Sequence, residues 1–256
     1  MRLLFIRHGE PDYQKDSLTE RGWKEAKLLA KRIAPMDIKE YYCSPLGRAK
    51  DTAKPTLALA GREAEEMSWL REFWPKILRP DKKGDRAISW DWWPNDWTPD
   101  DRYYSYDTWH ETEIMKEGHV YEEYRKAADG IDRILAEHGY VHEGKIFRAV
   151  KPNHDTLCFF CHYGITSVLV SHITHVSPMI FWHNFVMTPT SVTSLNTEER
   201  EEGTAIWRID QWGDTSHLYK HNMRPSFAAR FRETYDDPDD FHLYNDWEVE
   251  HELPEL

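Results

Sequence analysis

The order of segments near the start of the chain constrains its fold more than any other feature. An apolar run, a polar turn carrying arginine and an amphipathic helix follow one another, and the order then repeats. Residues 2–6 are an apolar run of strand type that ends in Arg7-His8-Gly9-Glu10-Pro11. Ser17 and Glu20 have the spacing of a capping box, with Thr19 a second candidate cap; Trp23, Ala26, Leu29, Ala30 and Ile33 then recur at helical spacing up to Pro35. A second strand near Glu40–Cys43 runs into Ser44-Pro45-Leu46-Gly47-Arg48, and a helix over about residues 48–60 follows. Such alternation predicts an α/β fold, a three-layer α/β/α sandwich with a mostly parallel central sheet, whose ligands bind beyond the carboxyl ends of the strands. Both arginine-bearing turns would lie there.

The rest of the chain extends this plan. Residues 73–118 follow neither period and interleave Trp90, Trp92, Trp93, Trp97 and Trp109 with prolines and aspartates, which reads as an insertion over the core. A helix over about residues 119–137 uses Val120, Tyr124, Ala128, Ile131 and Leu135. The most apolar strand, Thr156–Cys161, ends in His162-Tyr163-Gly164, and a helix at about residues 165–176 and strands near 191–196 and 204–209 complete the sheet. The expected organisation is a single domain over residues 1–256, with the Trp-rich insertion at about 73–118 and an acidic, aromatic tail at about 227–256.

Charge and composition exclude several classes. A net charge of -12 argues against gripping nucleic acid, which needs a dense basic face. It also means that any phosphate site must concentrate its few cations locally. No apolar run approaches the roughly 18 residues of a membrane span, and the first residues lack the sections of a secretory signal, so the expected compartment is the cytoplasm. Cys43, Cys158 and Cys161 are too few for a disulfide framework and are expected as free thiols. The oligomeric state is not written in these features.

The chemistry-bearing residues sit where strands end, and there the chain resembles the histidine phosphatase superfamily, the phosphoglycerate mutase-like family. Arg7-His8-Gly9-Glu10 resembles its first motif, residues 44–53 (Ser-Pro-Leu-Gly-Arg-Ala-Lys-Asp-Thr-Ala) its second, and Cys161-His162-Tyr163-Gly164 its third. Leu18-Thr19 and Asp214-Thr215-Ser216-His217-Leu218 also look like family features. The resemblance implies a phosphatase acting on a small phosphorylated substrate through a phosphohistidine, with no metal and no cofactor. It also implies a proton donor after the second helix in a Leu-x-Glu context, which Trp69-Leu70-Arg71-Glu72 matches; Glu72 is therefore assigned, with Glu10 the competing carboxylate.

The residue types agree with that implication. A phosphate monoester presents about two negative charges and three acceptor oxygens, so it needs several rigid donors in one small volume. Arg7, Arg48 and His162 supply them, and arginine's planar fork suits paired bonds to phosphate oxygens. The nucleophile must instead expose an unprotonated ring nitrogen, so His8 should donate its other nitrogen to a fixed acceptor such as a loop carbonyl. Glu72 would protonate the leaving oxygen and later take a proton from water, which requires a raised pKa. Tyr163 stands where the family usually has glycine; it is expected among the phosphate-binding residues with Arg7, Arg48 and His162, either narrowing the pocket or projecting its hydroxyl toward the substrate.

Other groupings have plainer readings. Cys158 and Cys161 point to opposite faces of a strand, so they pack rather than pair. His172, His175 and His183 are read as scattered packing or surface histidines, without a metal motif around them. The tryptophans are read as a small satellite core under the insertion, with a lid over the site as the other reading. Two alternatives to hydrolysis remain. One is mutase-type phosphoryl transfer, which the stretch Arg71-Glu72-Phe73-Trp74 does not favour. The other is a catalytically silent phosphate-binding or regulatory protein that uses the Trp-rich insertion to hold a partner.

Overall fold

Along Arg2–Arg7 successive side chains go to opposite faces of the sheet, and in the computed structural model of the protein each face has its own core. The structure describes residues 1–228 and 230–237. On one face Leu3 and Phe5 join Leu157 and Phe159 beneath the helices Val120–Glu137 and Tyr163–Thr174. On the other, Leu4 and Ile6 join Cys158 and Phe160 beneath Glu20–Ile33 and Gly47–Ala60. Stacked rings tie neighbouring strands together on the first face, with Phe159 5.1 Å from Phe5 and 4.9 Å from Tyr42. The expected three-layer α/β/α sandwich follows from these two apolar faces.

The sheet has eight strands in the order Glu65–Glu66, Glu40–Cys43, Thr156–Cys161, Arg2–Arg7, Val192–Glu201, Thr204–Asp214, Ile146–Ala149 and Tyr140–Glu143. It is more mixed than the sequence suggests. The first four strands are parallel, and from Val192–Glu201 onward each pairing is antiparallel. The cause is local. Two tight hairpins turn at Gly144, with φ +65°, and Gly203, with φ +75°, conformations that suit two-residue connections between antiparallel strands. Every motif lies on the parallel half, where the strands' carboxyl ends form one edge.

Helix starts show which capping signal wins. Thr19, rather than Ser17, caps the first helix, accepting from Gly22 N–H at 3.0 Å, whereas the Ser17 hydroxyl donates to Asp51. All three cysteines are buried and free, and Cys158 and Cys161 belong to opposite cores, as the strand period requires. No helix among the described residues is long and apolar enough to cross a membrane.

The Trp-rich insertion corrects the satellite-core reading, because its indoles join the main core. Trp92, Trp97 and Trp109 are buried in the same cluster as Leu3 and Phe5, and Trp109 packs edge-on against Trp182 at 5.9 Å. Trp93 is exposed, and Trp90 faces the site described below. Since Trp109 is fully buried, Trp109→Ala should lower unfolding free energy by about 3–5 kcal/mol in urea titrations. A loss below about 1 kcal/mol would mean that the insertion packs independently of the core.

Candidate active site

Three parallel strands deliver the motif residues to one place. Arg7 pairs in register with Cys161, the His8 backbone N–H donates to the Cys161 carbonyl at 3.0 Å, and Ser44 N–H donates to the Phe160 carbonyl at 2.9 Å. The first residues beyond these strand ends are therefore neighbours: the rings of His8 and His162 lie 5.1 Å apart, and the Ser44 hydroxyl is 2.7 Å from His162 Nε2. Arg48 arrives on the first turn of Gly47–Ala60 and pairs with Asp16 at 2.7 Å. That helix can start so close to the Asp16 loop because residue 47 is glycine; a Cβ there would lie 2.1 Å from the Asp16 carbonyl oxygen.

His8 is almost fully buried, and its Nδ1 lies 2.7 Å from the Gly9 carbonyl. Burial and the neighbouring Arg7 charge hold its pKa well below the ordinary 6.5, so the ring is neutral near pH 7. A carbonyl only accepts, so Nδ1 carries the hydrogen and Nε2 keeps its lone pair. Thr52 braces this loop: its hydroxyl accepts from Gly9 N–H at 2.8 Å and donates to the Arg48 carbonyl at 2.7 Å. Around the imidazole, Nε of Arg7, Nε of Arg48 and Nδ1 of His162 are buried and have no partner among the described residues. Unpaired buried donors are costly in a folded protein and call for an explanation.

Glu72 follows the short turn Ser68–Leu70, and its Oε1 accepts from Phe73 N–H at 2.8 Å and Ile165 N–H at 3.1 Å. Burial pushes its carboxyl pKa up, against the two backbone bonds and the Arg7 charge. It reaches the amino end of the Tyr163–Thr174 helix because residue 164 is glycine; a Cβ there would lie 2.8 Å from Glu72 Oε1 and 2.8 Å from Trp90 Nε1. Glu10 is committed elsewhere, accepting from Thr19 at 2.8 Å and from Ser226. The Tyr163 hydroxyl is bound away from the unpartnered nitrogens of Arg7, Arg48 and His162. It donates among the carbonyls of Phe181, Trp182 and Phe185 at 2.7–3.0 Å, so this residue presents a ring, with Arg7 5.9 Å from its centroid, and no free hydroxyl. Tyrosine's length carries the hydroxyl past the site to the end of the Pro178–Asn184 helix.

Arg7 and Glu72 open onto a cavity of about 510 Å³, walled also by Trp90, Tyr163, Trp182 and Phe185. The sequence pattern of the histidine phosphatase superfamily, branch 1, matches residues 3–215. The chain belongs to this superfamily. Within it, 68 residues are 38% identical to a probable phosphatase of Schizosaccharomyces pombe, covering 23% of this chain and 32% of that protein. A stretch of 61 residues is 38% identical to a 2,3-bisphosphoglycerate-dependent phosphoglycerate mutase of Thermoplasma acidophilum, covering 20% of this chain and 30% of that protein. The chain thus matches about a third of the length of each of these two relatives.

The superfamily fold extends much further than these stretches. A phosphoserine phosphatase of Entamoeba histolytica in complex with 3-phosphoglyceric acid superposes with a TM-score of 0.54 at 18% identity, over 85% of this chain and 98% of that one. A mycobacterial glucosyl-3-phosphoglycerate phosphatase gives a TM-score of 0.54 at 17% identity, over 84% and 99%. At these identities the likeness shows the shared fold.

For this member of the histidine phosphatase superfamily, several surroundings of the site are not apparent from the motifs. Arg230 and Phe231 from the late segment line the cavity, and Arg230 Nε is buried without a partner among the described residues. The acidic composition of the tail gave no sign of this; its residues 238–256 lie outside the described residues. The reading of His172 and His175 as scattered also fails. They meet His142 and Asp132 in a second cavity, because an edge hairpin brings His142 beside the helix that carries them.

Proposed function

We propose that this protein hydrolyses a small phosphate monoester in two steps, with His8 as the nucleophile. In the first step His8 Nε2 bonds to phosphorus as the ester P–O bond breaks, and Glu72 gives its proton to the departing oxygen. In the second, Glu72 takes a proton from water, the water oxygen bonds to phosphorus, and the N–P bond breaks to release inorganic phosphate. Arg7, Arg48 and His162 hold the phosphoryl oxygens through both steps. The observation that carries this reading is the set of three unpartnered buried donors, on Arg7, Arg48 and His162, beside an imidazole whose Nδ1 hydrogen is already committed to Gly9. Ser44 helps to define the third donor. Its oxygen accepts from Leu46 N–H at 3.2 Å, and in this scheme its hydrogen goes to His162 Nε2, so that His162 carries its own hydrogen on Nδ1.

The aromatic wall of the cavity suits a leaving group with an apolar or aromatic body. Transfer between two phosphate positions, as in a mutase, would favour a more basic wall than one whose basic residues besides Arg7 are His183 and Arg230. The silent-protein alternative drew on Tyr163, and the hydroxyl of that residue is bound outside the phosphate donors.

The test is hydrolysis of p-nitrophenyl phosphate by the folded protein in the presence of a chelator, followed across pH. Turnover should survive the chelator. His8 must be neutral to attack, and its pKa is lowered, so activity should persist as pH falls through 6.5 and fail only well below it. Glu72 must be protonated to release a poor leaving group, and its pKa is raised, so kcat for an alkyl phosphate run in parallel should decline as pH rises through that raised value. An acid limb centred at or above pH 6.5, or no turnover at all, would count against the scheme.

A further inference from the structure

The second cavity, of about 400 Å³, contains a cluster that the hydrolytic scheme does not use. Asp132 comes from the Val120–Glu137 helix, His142 from the edge strand Tyr140–Glu143, His172 from the last turn of Tyr163–Thr174, and His175 from the residue capping that turn. Asp132 Oδ1 lies 3.0 Å from His142 Nδ1, Asp132 Oδ2 lies 2.9 Å from His172 Nε2, and the two ring nitrogens are 3.2 Å apart. Three donor atoms from three separate elements thus face one small volume.

The geometry points to a binding site for one divalent transition ion of the zinc class, with Asp132, His142 and His172 as ligands and the fourth position facing the cavity. Tetrahedral ligands at about 2.0–2.1 Å from zinc stand roughly 3.3 Å from one another; the two ring nitrogens are 3.2 Å apart, and one Asp132 oxygen lies within 4.8 Å of both. Imidazole and carboxylate donors suit this class of ion.

The outer contacts have the form that ligating imidazoles require, where the far ring nitrogen donates to a fixed partner. His172 Nδ1 is 3.1 Å from the Tyr106 hydroxyl, and His142 Nε2 is 3.0 Å from His175 Nε2. The nearby cations are already paired, Arg125 with Asp129 and Lys145 with Asp107.

The site lies roughly 15 Å from His162 along its helix, so the ion clamps elements together and takes no part in phosphoryl transfer. The test uses the full chain, stripped with chelator, titrated with Zn²⁺ by calorimetry and followed by thermal unfolding. The expected result is one ion per chain and a Tm increase of about 5–10 °C at a hundredfold excess over Kd. Co²⁺ in place of Zn²⁺ should give the visible absorption of a tetrahedral site.

Asp132→Asn and His142→Gln should abolish both signals. His175→Ala keeps all three ligands and should weaken binding at least tenfold. Absence of a Zn²⁺-dependent shift in the wild type, or the same shift in both ligand variants, would overturn the proposal. If the ligand variants fail to fold, unchanged affinity in His175→Ala would also count against it.

Discussion

His8→Ala should reduce phosphate-ester turnover by roughly four orders of magnitude or more, while the protein stays folded. The expectation follows from the role of the side chain. If His8 forms the covalent intermediate, alanine removes the whole two-step route, and water must attack the ester directly. The fold should survive because the His8 side chain makes one hydrogen bond, to its neighbour's carbonyl, whereas backbone bonds from His8 to Cys161 and from Thr190 to His8 hold the loop. Rapid quench of the wild type with substrate should trap an acid-labile phosphohistidine that the variant lacks, and thermal unfolding should distinguish lost chemistry from lost structure. Turnover within tenfold of wild type by a folded variant would remove His8 from the mechanism.

Glu72→Gln is expected to cost about 10²–10⁴-fold in steady-state turnover, with a dependence on substrate that a purely structural role would not produce. Glutamine keeps an oxygen for the N–H groups of Phe73 and Ile165, so the local fold has its acceptor. It has no proton to give and cannot take one from water. Nitrophenolate leaves without much assistance, so phosphorylation by p-nitrophenyl phosphate should stay fast and hydrolysis of phosphohistidine should become slow. The signature is a burst of nitrophenol equal to the enzyme present, followed by a slow phase, whereas an alkyl phosphate should show no burst. A uniform loss with both substrates would assign Glu72 a structural part, bridging its own loop and the helix that begins at Tyr163.

These residues were legible in the sequence to different degrees, for physical reasons. Arg7 ends an apolar strand, His8 and His162 follow strands directly and Arg48 opens the helix after a third, so period and motif place them at one sheet edge. The antiparallel half was harder to read, because the hairpin at Gly144 joins two four-residue strands too short to show alternation. Tyr163 was read as able to reach substrate, and its hydroxyl's partners lie on a helix whose packing no local pattern reports. Asp132, His142 and His172 meet only through tertiary structure, and no fixed spacing announces them. Arg230 belongs to a segment whose acidity drew attention away from its few cations.

The placement of Arg2–Arg7 also bears on how the chain reaches its native state. This strand lies at the centre of the sheet, yet its partners, Thr156–Cys161 and Val192–Glu201, come more than 150 residues later. A ribosome adding about 5–20 residues per second needs roughly 8–30 s to supply the first partner. Through that interval Leu3, Leu4, Phe5 and Ile6 have no partner strand, and the loop that must close is long. His8, next to this strand, is therefore late to acquire its surroundings, which leaves the nascent chain dependent on protection of that apolar run during synthesis.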